Sequence, residues 1–303
     1  MGFLYLLETL RIPVLNEFML LITRLGEETA FLAIALIVFW CVDKRRGYLL
    51  MAVGFAGTMI NQFLKLAFRI PRPWVLDENF TILEQAREAA SGYSFPSGHT
   101  QMAVGTFGSL AVTAKGKRTA VSLWILAALV AFSRMYIGVH TPYDVGASVL
   151  IALVLIYGLR PVVLEETGRG MKPLIAGMLL MALSLLWYVE RWNFPADMDW
   201  HNLESGIKNA YTMVGCLAGV ALVYLLEEKY VNFETKAIWW AQILKVLLGL
   251  AAVLAVKEGL RAPLEMVFGT YPARSVRYFL IVVTAGFLWP MTFRWFSKLG
   301  VKK

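Results

Sequence analysis

Nine apolar segments recur along the chain, at about 29–43, 47–67, 97–114, 119–138, 142–160, 172–190, 208–227, 237–256 and 276–296. A helix needs about 20 consecutive apolar residues to cross the hydrocarbon of a bilayer, and most of these segments approach or reach that length. With 58% apolar residues, the chain is well above the roughly 45–50% of soluble domains. A globular chain of 303 residues could not cover that much apolar surface. The fold class follows: an all-α, polytopic integral membrane bundle.

The charges sort between the segments. Lys44, Arg45 and Arg46 follow the first. Lys115, Lys117 and Arg118 follow the third, and Arg160, Arg169 and Lys172 follow the fifth. Lys229 and Lys236 follow the seventh, and Lys298, Lys302 and Lys303 close the chain. Alternation puts all of them on one side, which the positive-inside rule makes cytoplasmic. The opposite connections are poorer in cations. Residues 74–95 carry Asp77, Glu78, Glu84 and Glu88 against Arg87, and residues 191–206 carry Asp197, Asp199 and Glu204 against Arg191. The last outer connection, with Lys257, Arg261 and Arg274, is less clean. The net charge of +8 is therefore topological charge, not a nucleic-acid surface.

Segment 3–24 mixes apolar and charged residues and reads as an interfacial amphipathic helix, with an additional span as the alternative. Its Glu8, Arg11, Pro13 and Glu17 do not fit a cleavable signal peptide. The two cysteines, Cys41 and Cys216, lie within apolar stretches and suggest neither a disulfide framework nor a zinc site.

Three polar clusters interrupt the apolar pattern: Lys65 to Arg72-Pro73, Phe95-Pro96-Ser97-Gly98-His99, and Ser133-Arg134 followed by His140 and Asp144. The charge pattern assigns all three to the non-cytoplasmic face, although it was not used to find them. Ionisable groups at membrane depth are costly and mark function. Lys65, Arg72 and Arg134 supply three cations matched to a phosphoryl group, and Arg forks can grip its oxygens in pairs. Pro96-Ser97-Gly98 reads as a helix start whose backbone N–H groups cradle an anion, and Ser97 can cap the helix or bond a phosphate oxygen. Two of the three histidines fall in these clusters. Stepwise phosphate hydrolysis needs a nucleophile and a proton donor. Asp144 follows His140 by four residues and can accept from one ring nitrogen, leaving the other to attack phosphorus. Thr141-Pro142 reads as an N-cap and first helical residue.

The order Lys-x6-Arg-Pro, Pro-Ser-Gly-His and Ser-Arg-x5-His-x3-Asp resembles the signature of the type 2 phosphatidic acid phosphatase superfamily, which includes the vanadium haloperoxidases. The resemblance covers about residues 26–160 and is intact at all eleven motif positions. It implies that His140 is the nucleophile forming a phosphohistidine, that Asp144 orients it, and that His99 protonates the leaving oxygen. It further implies that Lys65, Arg72, Ser97, Gly98 and Arg134 hold the phosphoryl group, with no metal and no cofactor. The implied substrates are lipid phosphates or diphosphates: polyprenyl diphosphate, phosphatidylglycerophosphate, phosphatidate or a sphingoid-base phosphate. A water-soluble ester such as a sugar phosphate, or a lipid-binding or transport protein with a relic site, are the alternatives.

Residues 1–165 read as the phosphatase core, of about six helices. Residues 166–303 add about four spans to which the motif gives no role. Within them, Lys245 sits mid-segment, where it could line a polar path or a headgroup site, or snorkel. His201, with Asp197, Asp199 and Glu204, has spacing too irregular for a metal site.

Overall fold

The computed structural model describes residues 1–87, 90, 92–196 and 198–299, and every regular element among them is helical. Glu88, Asp197, Lys302 and Lys303, counted among the loop and terminal charges above, lie outside the described residues. In chain order the helices are α1 (Gly2–Thr9), α2 (Pro13–Thr23), α3 (Glu28–Cys41), α4 (Lys44–Phe68), α5 (Pro73–Leu76), α6 (Gly98–Val112) and α7 (Lys117–Tyr136). They continue as α8 (Pro142–Val163), α9 (Met171–Arg191), α10 (Trp200–Leu226), α11 (Trp239–Gly259), α12 (Arg261–Phe268), α13 (Thr270–Val283) and α14 (Phe293–Phe296).

Among the described residues, seven helical stretches are long and apolar enough to cross a bilayer, beginning at Lys44, Lys117, Pro142, Met171, Trp200, Trp239 and Thr270. The chain is an integral, multi-pass membrane protein. Two of the nine expected spans are shorter: α3 has 14 residues and α6 has 15. Nearly all of α6 from Thr100 to Ala111 is buried by protein. A helix sheathed in protein need not match the lipid thickness that sets the length of an exposed one.

Contacts divide the chain into two compact units. The first comprises Met1–Ile34, Leu49–Pro161 and Phe194–Gly206, and the second comprises Ala35–Tyr48, Val162–Asn193 and Ile207–Lys303. In the first, α6 packs against α7 and α8 through Ala103, Val104, Phe107, Ala127, Val130 and Ala152. Helices in lipid gain little from hydrophobicity alone, so small residues that admit close approach do the packing. At Gly57 of α4 a Cβ would sit 1.5 Å from the Gln101 amide on α6. At Gly26 a Cβ would meet the His99 carbonyl oxygen at 2.8 Å.

The N-terminal segment is two short helices rather than one. Pro13 removes an N–H and opens α2 afresh, so neither α1 nor α2 reaches spanning length. Both pack on protein. Leu4 buries against Phe80 and Ile82, Arg11 Nε donates to the Tyr136 carbonyl (3.0 Å), and Tyr5 donates to Asp77 (2.8 Å).

In the second unit Lys245 neither snorkels nor opens a polar path. Its ammonium is buried, donates to the Trp40 and Thr235 carbonyls at 2.9 and 3.0 Å, and lies over the Phe293 ring. Those carbonyls replace the hydration that a lysine loses on burial. Both are available because they lie near the ends of helical segments, where intrahelical bonding stops: Trp40 is in the last turn of α3, and Thr235 precedes α11.

Candidate active site

Four chain breaks bring the polar clusters together. Helix α4 ends at Phe68, and Arg69 then turns the chain in the left-handed region (φ 52°), its N–H bonding the Lys65 carbonyl. Pro71 and Pro73 hold the next residues extended up to α5. Ser97 caps α6, its Oγ accepting from Thr100 N–H at 3.4 Å. Gly138 (φ 88°) turns the chain between α7 and α8, where a Cβ would meet Arg11, Ile82 and Phe80 near 3 Å. The start of α8 is a reciprocal cap: Thr141 Oγ1 accepts from Asp144 N–H (3.3 Å), and Asp144 Oδ2 accepts from Thr141 N–H (2.7 Å). The expected Thr141-Pro142 helix start is thus present.

These turns place Lys65, Arg72, Arg134, His140 and Asp144 in one buried cluster. Arg72 is its hub. Its Nε donates to the Gly92 carbonyl, and its Nη1 donates to the Val139 carbonyl, each at 3.0 Å. The same Nη1 lies 2.9 Å from His140 Nε2. Arginine has donors only, so Nε2 must be the acceptor, and the proton of a neutral ring then sits on Nδ1. That nitrogen faces Asp144 Oδ2 and Ser94 Oγ, each 3.5 Å away. Lys65 donates to the Tyr93 carbonyl. Arg134 Nη1 donates to Thr23 Oγ1 (2.6 Å), while its Nε is buried with no hydrogen-bond partner among the described residues.

The second motif joins the third through the backbone, since Ser97 N–H donates to the Asp144 carbonyl (3.2 Å). In front of Gly98 there is open space, since a Cβ there would meet nothing within 4 Å. His99, next in sequence, is half-buried. The arrangement offers charged and backbone donors, a ring nitrogen with a lone pair, and a second imidazole beside an opening.

The carboxylate has partners besides the His140 ring that the sequence pairs it with. Asp144 Oδ2 is already engaged by Thr141 N–H and by the Ser94 hydroxyl, at 2.7 Å each. Its approach to His140 at 3.5 Å is too long for a strong bond, although such contacts often tighten when substrate binds. Ser94 and Thr23 were missed from sequence. Ser94 stands two residues before Pro96, and Thr23 ends α2, far from Arg134 in the chain.

Residues 46–167 match the family model described as the PAP2 superfamily. Residues 211–302 match that of the PAP2 superfamily phosphatase, transmembrane extension. Undecaprenyl-diphosphatase BcrC of Bacillus subtilis is 33% identical over 144 residues, covering 47% of this chain and 72% of that one. The chain belongs to the PAP2 superfamily. Other PAP2 relatives include phosphatidylglycerophosphatase B of Bacillus subtilis, 29% identical over 49% of this chain and 75% of its own. The probable sphingosine-1-phosphate phosphatase of Dictyostelium discoideum is 28% identical over 73% of this chain and 55% of its own. No solved structure matches this PAP2 chain. The segment beyond the motif, which carries no recognisable chemistry in its sequence, thus has its own PAP2 family model.

Proposed function

We propose that this PAP2 protein hydrolyses a lipid phosphate or diphosphate through a phosphohistidine at His140, at the non-cytoplasmic face. The observation that carries the reading is the His140 Nε2 lone pair, held 2.9 Å from Arg72 Nη1 inside the buried cationic cluster. A phosphoryl group arriving there draws the Arg72 guanidinium onto its oxygens and uncovers Nε2.

Nε2 then attacks phosphorus, and the bond from phosphorus to the leaving oxygen breaks. His99 gives that oxygen a proton. Water adds to the phosphohistidine, His99 takes its proton, and the nitrogen–phosphorus bond breaks to release inorganic phosphate. Asp144 and Ser94 keep the Nδ1 side of the ring fixed. Lys65, Arg72, Arg134, the Ser97 hydroxyl and the Gly98 N–H offset the transferred charge, so no divalent ion is called for. The names of the relatives support a lipid substrate: an undecaprenyl diphosphate, a phosphatidylglycerophosphate or a sphingosine phosphate. The charge pattern of the short connections supports the outward face.

Phosphate release in detergent micelles tests the reading, with these lipids and a sugar phosphate side by side. The folded His140→Ala protein should lose at least about a thousand-fold in turnover, and EDTA should leave the wild type unchanged. Wild-type turnover in His140→Ala, or activity restored only by a divalent ion, overturns the mechanism. Faster turnover of the sugar phosphate than of every lipid overturns the substrate class.

A further inference from the structure

Outside Arg72 lies an open cleft of about 1080 Å³. One wall runs from the end of α4 through the α4–α6 connection, with Arg69, Arg72 and Arg87. The facing wall comes from the α9–α10 connection and the start of α10, with Met198, His201 and Asn202. These latter residues lie beyond the motif-bearing region in sequence, yet belong to the first compact unit with the motif. Arg72 is shared: the residue lines the cleft, and its guanidinium touches His140. The cleft therefore begins where the transferred phosphoryl group ends.

The lining sorts by what is already committed. Arg87 is neutralised by Glu84, with two hydrogen bonds of 2.7 and 2.8 Å. The Trp74 ring is covered by Arg87 and Arg72. Asp199 caps α10, accepting from Asn202 N–H at 2.9 Å. The Arg69 guanidinium and the His201 ring have no hydrogen bond or ion pair among the described residues. Beside the Asp199 carboxylate, which a backbone N–H engages, the cleft offers a ligand the Arg69 and Arg72 cations and the His201 ring, a set that suits a second anionic, oxygen-rich group better than a cationic headgroup. A second observation is independent of the first. Arg69 holds the left-handed position that closes α4 (φ 52°), where glycine would be easier. Strain kept at such a position points to a side chain that is needed there.

We propose that Arg69 and His201 are specificity residues that hold the second phosphate of a diphosphate ester. This rests on the phosphatase reading above. His140 Nε2 bonds to the terminal phosphorus. The bond from that phosphorus to the bridging oxygen breaks, and its electron pair leaves with the lipid monophosphate held by Arg69 and His201. Water then releases the phosphoryl group as inorganic phosphate, passing one proton to His99. The leaving group is a stabilised anion, so it needs proton donation less than an alkoxide does.

The test measures kcat/KM in micelles for farnesyl diphosphate and farnesyl monophosphate, which share one tail. The variants are Arg69→Gly and His201→Gln. Each should lower the diphosphate-to-monophosphate ratio about ten-fold, as expected for a lost charged hydrogen bond. Arg69→Gly relieves backbone strain, so its loss of preference should come with equal or higher thermal stability. Equal losses on both substrates, or an unchanged ratio, overturn the assignment and leave the phosphatase reading intact. A wild type that is folded but releases phosphate from neither compound, nor from p-nitrophenyl phosphate, overturns both.

Discussion

At the scale of single residues, the carboxylate of Asp144 is spread over several tasks. Its Oδ2 closes the α8 cap and accepts from Ser94, and only then approaches His140. Removing the Ser94 hydroxyl leaves that oxygen with one donor fewer, and frees the ring to rotate away from Arg72. Ser94→Ala should lower kcat about ten-fold, from a hydrogen-bond loss of about 1–1.5 kcal/mol, with KM little changed. A loss confined to KM would count against the positioning role. His99 predicts a different pattern. Proton donation matters most for a poor leaving group, so His99→Ala should slow an alkyl phosphate far more than p-nitrophenyl phosphate. With the aryl ester, phosphoenzyme should still form in that variant and accumulate. Equal losses without phosphoenzyme would mean that the two histidines have been assigned the wrong way round. That Lys65, Arg72, Arg134, His140 and Asp144 come together was legible because ionisable groups are rare at membrane depth and these fall at matched spacings. Ser94 and Thr23 were not, because a hydroxyl near a helix end is ordinary, and only the folded chain brings Thr23 within 2.6 Å of Arg134.

Between elements, glycine backbones set how close the helices come. On α10, a Cβ at Gly215 would lie 2.1 Å from the Ser275 carbonyl oxygen of α13. A flexible side chain could step aside, but a backbone oxygen inside a helix cannot. Gly215→Ala should therefore destabilise this helix pair by about 1–3 kcal/mol, read as a lower detergent-melting midpoint. An unchanged midpoint would show that the pair can separate without cost. Nothing in the sequence marked this crossing, because a lone glycine in an apolar run looks alike whether it packs or not. The runs themselves were legible, and each of the nine expected segments overlaps one of α3, α4, α6–α11 and α13. What failed was the connection after α11. It reads as loop until about 276, yet α12 and most of the first turns of α13 lie within it. Pro263 and Pro272 each fall at the third position of a helix, where a missing N–H costs nothing, so neither interrupts its helix. Similarly, one amphipathic segment at 3–24 is two helices parted before Pro13.

For the whole molecule, sidedness comes from the chain order of charge, because no single helix carries it. Lys44 to Arg46, Lys115 to Arg118 and Arg160 to Lys172 lie in alternate short connections or the helix ends that flank them, where the retention of cations in the cytoplasm acts most strongly. The site turns lie in the others: the α4–α6 connection with Arg72 and Ser94, and the α7–α8 connection with His140. This division predicts which side a reagent can reach. Asn79 is exposed in the first site connection, and Glu166 is exposed between α8 and α9, which the charge rule assigns to the opposite side. With Cys41 and Cys216 replaced by alanine, Asn79→Cys should react with a membrane-impermeant maleimide in intact cells. Glu166→Cys should react only after the membrane is opened. Both positions are polar loop sites away from the His140 cluster, so each protein should keep its phosphatase activity and thereby report a native topology. If Glu166→Cys is the one labelled in intact cells, the orientation is reversed, the site opens to the cytoplasm, and the substrate must be presented from the inner leaflet.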